Sequence, residues 1–356
     1  MDPTENVEEI LRVCTYHRSE FDDLLVKTPK SKLQAPFIQN TFDKPDFASL
    51  GDLDRLPQEL IQMALEELDI VSYLKFRGVN NRARNLASSG RDYTVVVNHG
   101  LAGLKALLRV QTAHRFTLSH LYQALINPKC RYCRKFGPFL SLFTCKRACF
   151  TCIEISMPLG AIAIPPPKHF CQTVKLSKAQ IESVCEPKLR VVSGSHYAVE
   201  PWPKVKKPKY VVRCKDAFAR LRALNPEIRA RDMELPPPNQ TVMDVEHMYA
   251  LRYMSSTVFP WYDSTRDKLE TGKSCAACQF RVEEYEHDSP VPSVPPWGYN
   301  DRDRTYTDEE FMEHFQSCSF AKEMWADFKK NGYIRSSQFT RAGGRHPNPF
   351  LRYADY

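Results

Sequence analysis

The stretch KCRYCRKFGPFLSLFTCKRACFTCI, residues 129–153, holds five of the chain's 12 cysteines: Cys130, Cys133, Cys145, Cys149 and Cys152. Thiols this crowded must share an ion, a disulfide or a core, and each choice dictates how the chain folds around them. Cys130 and Cys133 form one Cys-x-x-Cys pair and Cys149 and Cys152 a second, with 15 residues between the pairs. The two-residue gap lets the backbone wrap both sulfurs towards one ion, and a structural zinc takes four such ligands in a tetrahedron. The separation falls within the range of paired zinc knuckles. Between them, GPFLSLF can make a hairpin-like excursion, with FLSLF (139–143) as a short strand. Cys145 is the surplus thiol. It either takes the place of Cys149 or sits beside the site as a spare, and Cys149 with Cys152 keeps the knuckle spacing. The competing reading is a set of reduced core cysteines, since free cysteine behaves as a small buried apolar residue; two spaced pairs favour metal. A RING array needs eight ligands on two ions, and too few cysteines and histidines lie nearby.

The choice between metal and disulfide turns on the redox compartment. The start, MDPTENVEEILRVC, is acidic and has no apolar segment of the kind a secretory signal carries. No run of 18 apolar residues predicts a membrane span. The expected compartment is cytosol or nucleus, where thiols stay reduced and clustered cysteines read as metal ligands.

A second donor set is spread wider. KSCAACQF supplies Cys275 and Cys278, and HFQSC supplies His314 and Cys318, four apart and so on one helical face. Together they offer three thiolates and one imidazole across a 35-residue gap that contains a proline-rich loop. His287 is a weaker candidate. Against the metal reading, Cys318 also lies on the apolar stripe of its helix and could simply pack.

The chain has 356 residues, 42% hydrophobic and 26% charged, enough for one large core or two to three smaller ones. Residues 53–126 show strong helical periodicity, with breaks at Asp69, Asn80, Gly90, Gly100 and Thr112 to His114. Pro57 suits the first turn of a helix and Asp69 suits a cap. Before this block, residues 1–45 carry only short helical patterns, around Val7 to Val13 and Phe21 to Val26, so the arm is expected to be weakly ordered or packed late on the body. After the first cysteine cluster, Ser177 with Gln180 has capping-box spacing, YVVRC (210–214) predicts a strand and DAFARLRAL a helix. MDVEHMYALRYMSSTV (243–258) predicts a helix. MELPPPNQT (233–241) and SPVPSVPPWG (289–298) predict loops, because proline breaks helices. TDEEFMEHFQSCSFAKEMWADF predicts one helix capped by Thr307 with Glu310, whose apolar face runs through Phe311, Phe315, Cys318, Ala321 and Trp325. The net charge is +8, and Pro201 to Arg231 holds ten Lys or Arg against Asp216 and Glu227. Such a segment can attract nucleic acid or acidic partners, or it can be a solvated face. No GxxxxGK, HExxH or GxSxG motif occurs, and His196 after Ser195 lacks catalytic context. A closed four-ligand zinc site also keeps no open position for water, so no catalytic residues are expected.

Read closely, LDRLPQELIQMALEELDIVSYLKFRGVNNRARNLASS (53–89) predicts three helices with more apolar surface than they bury alone. The LP-x-E-L start, the Leu-Asp before the second helix and FRGVNNRAR resemble the F-box proteins. Four further patches, in order, resemble a large group of fungal F-box proteins: FTLSHLYQAL, the cysteine cluster ending CFTC, RYMSSTVFPWYDSTRDKLETGKSCAAC, and FMEHFQSC followed by Trp325. The likeness runs in patches over residues 50–327.

The resemblance implies a substrate-recognition subunit of a Skp–cullin–F-box ubiquitin ligase, a non-catalytic adaptor in the ubiquitin conjugation pathway. Its box would bind the Skp adaptor, and through it a cullin, at Leu56, Pro57, Leu60, Leu65 and Leu74; the target protein is not named by the sequence. Two positions depart from the family. Tyr73 stands where Leu is usual, and Ala64 stands where Ile or Leu is usual, the latter removing apolar area worth about 25 cal/mol per Å². Ala148 stands where the fungal group often carries another Cys. The expected fold is mainly α with small β elements: a weakly ordered arm (1–48), a three-helix F-box (49–92), a helical and cysteine-rich middle region (93–240), a C-terminal Cys/His region (241–340) and a tail (341–356). One or two structural zinc ions are expected, held by Cys130, Cys133, Cys149 and Cys152, and by Cys275, Cys278, His314 and Cys318. The alternative is a zinc-stabilised protein that binds nucleic acid or an acidic partner through 201–231.

Overall fold

Val7, Ile10, Leu11 and Cys14 recur at helical spacing, and in the computed structural model they face inward on α1 (Pro3–Cys14). The structure describes residues 3–24, 48–164, 185–191, 210–227, 252–288 and 301–345, together with 26, 177, 179, 180 and 183. From α1 the chain passes into a two-residue strand β1 (Thr15–Tyr16) and a short helix α2 (Ser19–Leu24). Of the two alternatives for this arm, residues 3–24 follow the second and pack on the body. Ile10, Leu11, Val13 and Cys14 are buried against residues 275–324, and Phe21 is buried in a second cluster with Phe139 and Phe150.

The helical block follows the breaks read from sequence: α3 (Gln58–Glu66), α4 (Ile70–Arg77), α5 (Asn81–Ser89), α6 (Arg91–His99), α7 (Leu101–Arg109) and α8 (Leu118–Ile126). Each start has a local cause. Pro57 precedes α3 and its carbonyl accepts from Leu60 and Ile61. The Asp69 carboxylate accepts from the N–H groups of Val71 and Ser72, Asn80 accepts from Ala83, and Thr117 and His120 make a reciprocal capping box. Inner faces of these helices, from Ile61 to Leu125, form the largest core cluster.

The small sheets are tied to this block. β2 (Phe139–Ser141) pairs antiparallel with β3 (Lys146–Ala148), as the predicted excursion requires. Next come α9 (Phe150–Ile155), β4 (Ala161–Ile164), β5 (Lys188–Arg190), β6 (Tyr210–Arg213) and α10 (Cys214–Leu224). β4, β6 and β5 make one sheet in that order. Ser177 and Gln180 bond reciprocally, as their capping-box spacing predicts. β7 (Ser256–Val258) joins β2 on the edge opposite β3. This corrects the helix expected over 243–258: its last residues are a strand, because Ser256 and Thr257 pair with Ser141 and Leu140. The earlier part, 243–251, lies outside the described residues, as do both proline-rich loops.

β8 (Trp261–Asp263) and β9 (Lys268–Glu270) form a hairpin, and β10 (Ser274–Cys275) pairs with β1. Then come α11 (Ala276–Asp288), α12 (Asp308–Ser317), α13 (Ser319–Asn331) and α14 (Gln338–Arg341). The single helix expected over 307–328 is in fact two. Cys318 sits between them with φ −86° and ψ 104°, outside helical geometry, and its sulfur accepts from the N–H of Ala321 to cap α13.

Candidate functional site

Around the first cysteine pair, an isolated bridge between Lys129 and Phe136 closes a tight loop. Inside it the Cys130 N–H donates to the Lys135 carbonyl at 2.7 Å and the Arg134 N–H to the Cys130 carbonyl at 3.0 Å. Arg134 takes a left-handed conformation, φ 68°, to complete the turn. The N–H groups of Cys133 and Tyr132 then reach the Cys130 sulfur. The second pair is placed by a helix start: Cys149 stands at the N-terminus of α9 and Cys152 in its first turn. All four sulfurs lie within 4.8 Å of one another, and Cys133 Sγ stands 3.5 Å from Cys149 Sγ. Cys145 belongs elsewhere. It is fully buried in the large helical core, whereas Cys149 converges with Cys130, Cys133 and Cys152.

The second set converges in the same way. Cys275 ends β10, Cys278 lies in the first turn of α11, His314 in the last turn of α12, and Cys318 in the break before α13. Their donor atoms also lie within 4.8 Å of one another. Cys278 Sγ is 3.5 Å from His314 Nε2 and 3.7 Å from Cys318 Sγ. With Zn–S of about 2.3 Å and Zn–N of about 2.0 Å, a tetrahedron has S···S edges of about 3.8 Å and S···N edges of about 3.5 Å. The observed separations fit an ion between the donors. His314 is oriented by Tyr306, whose hydroxyl lies 3.2 Å from Nδ1 and whose ring stacks on the imidazole at 4.6 Å. With Nδ1–H donating to the Tyr306 hydroxyl, Nε2 would turn its lone pair to the thiols, the arrangement that tunes metal-bound histidines. A cavity of about 170 Å³ opens beside this set, lined by Cys278, His314, Cys318, Asp301, Arg302 and Phe320 among others. His287 lies exposed on α11, outside the group.

Charge explains why such sets want a cation. In the first, hydrogen bonds from Cys149 and Cys152 hold the Cys130 thiol down to about 2, against burial. The same contacts, with burial, push Cys149 far above the usual thiol range. In the second, hydrogen bonds from Cys275 and Cys278 hold Cys318 low, while Cys278 is pushed up by Cys275 and Cys318. One thiolate is stabilised at each site; further ionisation there would crowd like charges out of water unless a divalent ion balanced them. The eleven described cysteines are all free of disulfides. Cys14, distant from both motifs in sequence, is buried against the second set, with its thiol pushed up to about 12 by burial.

The helical block presents a different surface. Leu56 and Leu60 are 46% and 49% exposed, and Pro57 beside them is exposed as well. Leu74 is half-buried at the rim of the core. Leu65 is only 4% exposed and packs inside, so it supports the outer row and cannot meet a partner directly. Sequence reasoning missed Leu53, Met63 and Val79, which are exposed in the same block. The spacing of Leu53, Leu56, Leu60 and Met63 in steps of three and four carried the signal, since Ile61 and Leu65 already fill the inner face. Tyr73 is buried; its hydroxyl donates to the Ala87 carbonyl and its ring stacks on Tyr93, so this departure is absorbed in the core. Ala64 stays exposed.

Residues 53–94 match the family model of the F-box domain. No curated protein and no solved structure matches the chain. Among the described residues no helix is long and apolar enough to cross a membrane.

Proposed function

We propose that this chain is a substrate receptor of a Skp–cullin–F-box ubiquitin ligase, with a body clasped by structural zinc. The observation that carries the reading is a coincidence of place: the F-box match falls on the residues that leave Leu53, Leu56, Leu60 and Met63 outside a well-filled helical core. F-box domains bind the Skp adaptor and so a cullin; here Leu56, Pro57 and Leu60 would make the central contact, Leu74 its rim, and Leu65 would hold α3 in place behind them. Large exposed apolar side chains in a row mark an interaction face. The resemblance of the cysteine-rich patches to the fungal F-box group supports treating the remainder as the target-binding body. In it, Cys130, Cys133, Cys149 and Cys152 would hold one zinc, and Cys275, Cys278, His314 and Cys318 a second. Zinc would supply there a fixed junction between elements brought together from distant parts of the chain.

Co-expression with a Skp adaptor tests the reading. The intact chain is expected to co-purify with it, and L60D to reduce capture at least about tenfold by burying an unpaired carboxylate in the interface. No complex at micromolar concentrations, or L60D binding like the intact chain, would overturn the assignment. The alternative through 201–231 rests on a segment described only from 210 to 227, where Arg213 is already paired with Asp216, and no observation favours it.

A further inference from the structure

From Tyr93 to Ile153 the chain contains no Asp or Glu but nine Lys or Arg. Lys105 and Arg109 lie apart on α7, and three others have a partner in the fold. Arg147 is buried among carbonyls, and Arg115 donates to the Phe143 carbonyl. Lys129 faces Glu310. Four remain in one place. Arg131, Arg134 and Lys135 occupy the Cys130–Cys133 loop, and Lys146 begins β3. The Arg131 N–H donates to the Arg147 carbonyl at 2.9 Å, which lays the loop against that strand. All four are exposed, and among the described residues no acidic side chain pairs with any of them.

We propose that this cationic rim on the first metal loop is a docking surface for an acidic segment of a target protein. The inference rests on the receptor reading for the word target, and on charge and placement for the rest. Four like charges on this loop and the start of β3 repel one another, and an anionic partner relieves that repulsion while gaining orientation and a faster encounter. The loop is rigid for its size, because two cysteines and the bridge from Lys129 to Phe136 pin it. A peptide meeting it therefore orders little of the receptor. Nucleic acid fits less well. Binding single strands relies on exposed aromatic platforms, and Tyr132, the aromatic residue between the two cysteines, is half-buried against the core instead. The cations sit on a loop and a three-residue strand, not on a helix that could enter a duplex groove.

Fluorescence anisotropy on the full zinc-loaded chain decides this, using a labelled Glu-rich peptide and, in parallel arms, single-stranded and duplex oligonucleotides of equal charge. The peptide is expected to bind, and R131Q/R134Q/K135Q/K146Q to weaken it at least about tenfold. K330Q, on α13 away from the loop, is expected to leave it unchanged. Skp capture should be the same for all variants, since the F-box face is untouched. Should the quadruple variant lose zinc, K146Q alone, outside the ligand loop, takes its place with an expected weakening of about twofold to threefold. Absence of peptide binding, or equal binding by intact and substituted chains, overturns the proposal. So does an oligonucleotide bound about tenfold more tightly than the peptide. If the peptide pattern holds but the intact chain captures no Skp, the receptor reading fails and the acidic-partner surface stands.

Discussion

Arg147 occupies a position most charged residues avoid. It is 3% exposed, has no carboxylate beside it among the described residues, and burial pushes its guanidinium down to about 9. Its charge is held by carbonyl dipoles and by the Phe259 ring, 5.2 Å away. Nε donates to Ala124 at 2.6 Å, Nη1 to Gly137 and Phe259 at 2.7 and 2.9 Å, and Nη2 to Leu125 at 3.2 Å and to Pro260. The planar fork reaches α8, the turn before β2 and the link between β7 and β8 at once, which lysine cannot do. R147M should therefore cost about 3 kcal/mol or more, by leaving several buried carbonyls unpaired; urea denaturation followed by tryptophan fluorescence would show the midpoint fall. Asp69 makes a smaller, titratable contribution. Burial pushes its carboxyl up, but the Ser72 hydroxyl and the N–H groups of Ser72 and Val71 outweigh this and hold it below its usual value. A carboxylate whose folded pKa is depressed stabilises above its unfolded pKa, and the contribution is lost as pH falls through the folded value. D69A should cost about 1 kcal/mol at neutral pH, and the gap between the two chains should shrink in acid, below the ordinary range of an aspartate.

At the scale of elements, the two clusters that could hold a metal share a wall. Phe136 closes the first loop, and Gly272, just before β10, packs against it and against Thr305, the neighbour of Tyr306. Gly272 has φ +84°, and a methyl group there would run into both the Phe136 ring and the Thr305 side chain. G272A thus combines a left-handed backbone cost of about 1–2 kcal/mol with a steric clash. The expected result is a lower melting temperature together with weaker zinc retention at both sites, read by thermal shift and by zinc content after dialysis. The break between α12 and α13 is a second case. Apolar periodicity runs straight through Cys318, yet convergence with Cys275 and Cys278 requires its sulfur to turn out of the helical path. The Ala321 N–H that it accepts belongs to the new helix start.

For the whole molecule, the N-terminal segment acts as a strap. β1 pairs with the strand that carries Cys275, α1 packs with α11, α12 and α13, Phe21 stacks edge-on to Phe139 near the first cysteine set, and Val26 bonds to Ser256 and Thr257 on β7. Arg18 is buried beneath it, paired with Glu20 and Asp303 and set over the Phe21 ring. Elemental analysis of the intact chain should find two zinc ions, falling to one in C130S/C133S and to one in C275S/C278S. Removing residues 1–24 should also leave one, because the second set loses Ile10, Leu11, Val13 and Cys14 from its core. Two ions retained after that truncation would show that the strap is dispensable.

Much of this was legible in residue order. Helix limits at Asp69, Asn80, Gly90 and Gly100 follow from local capping and turn chemistry, and the first cysteine pairs from spacing, since both act over a few residues. The F-box pattern, being local, was legible for the same reason. What spacing could not supply was direction. Whether Leu65 or Leu60 faces outward depends on what packs behind α3. That Cys145 leaves its neighbours for another core depends on the turn of β2 into β3. Convergence of Cys275 and Cys278 with His314 and Cys318, and the use of the first 24 residues as a strap across them, are long-range pairings. Their stability comes from apolar area and donor geometry that exist only once distant segments meet, so no short window of sequence contains them.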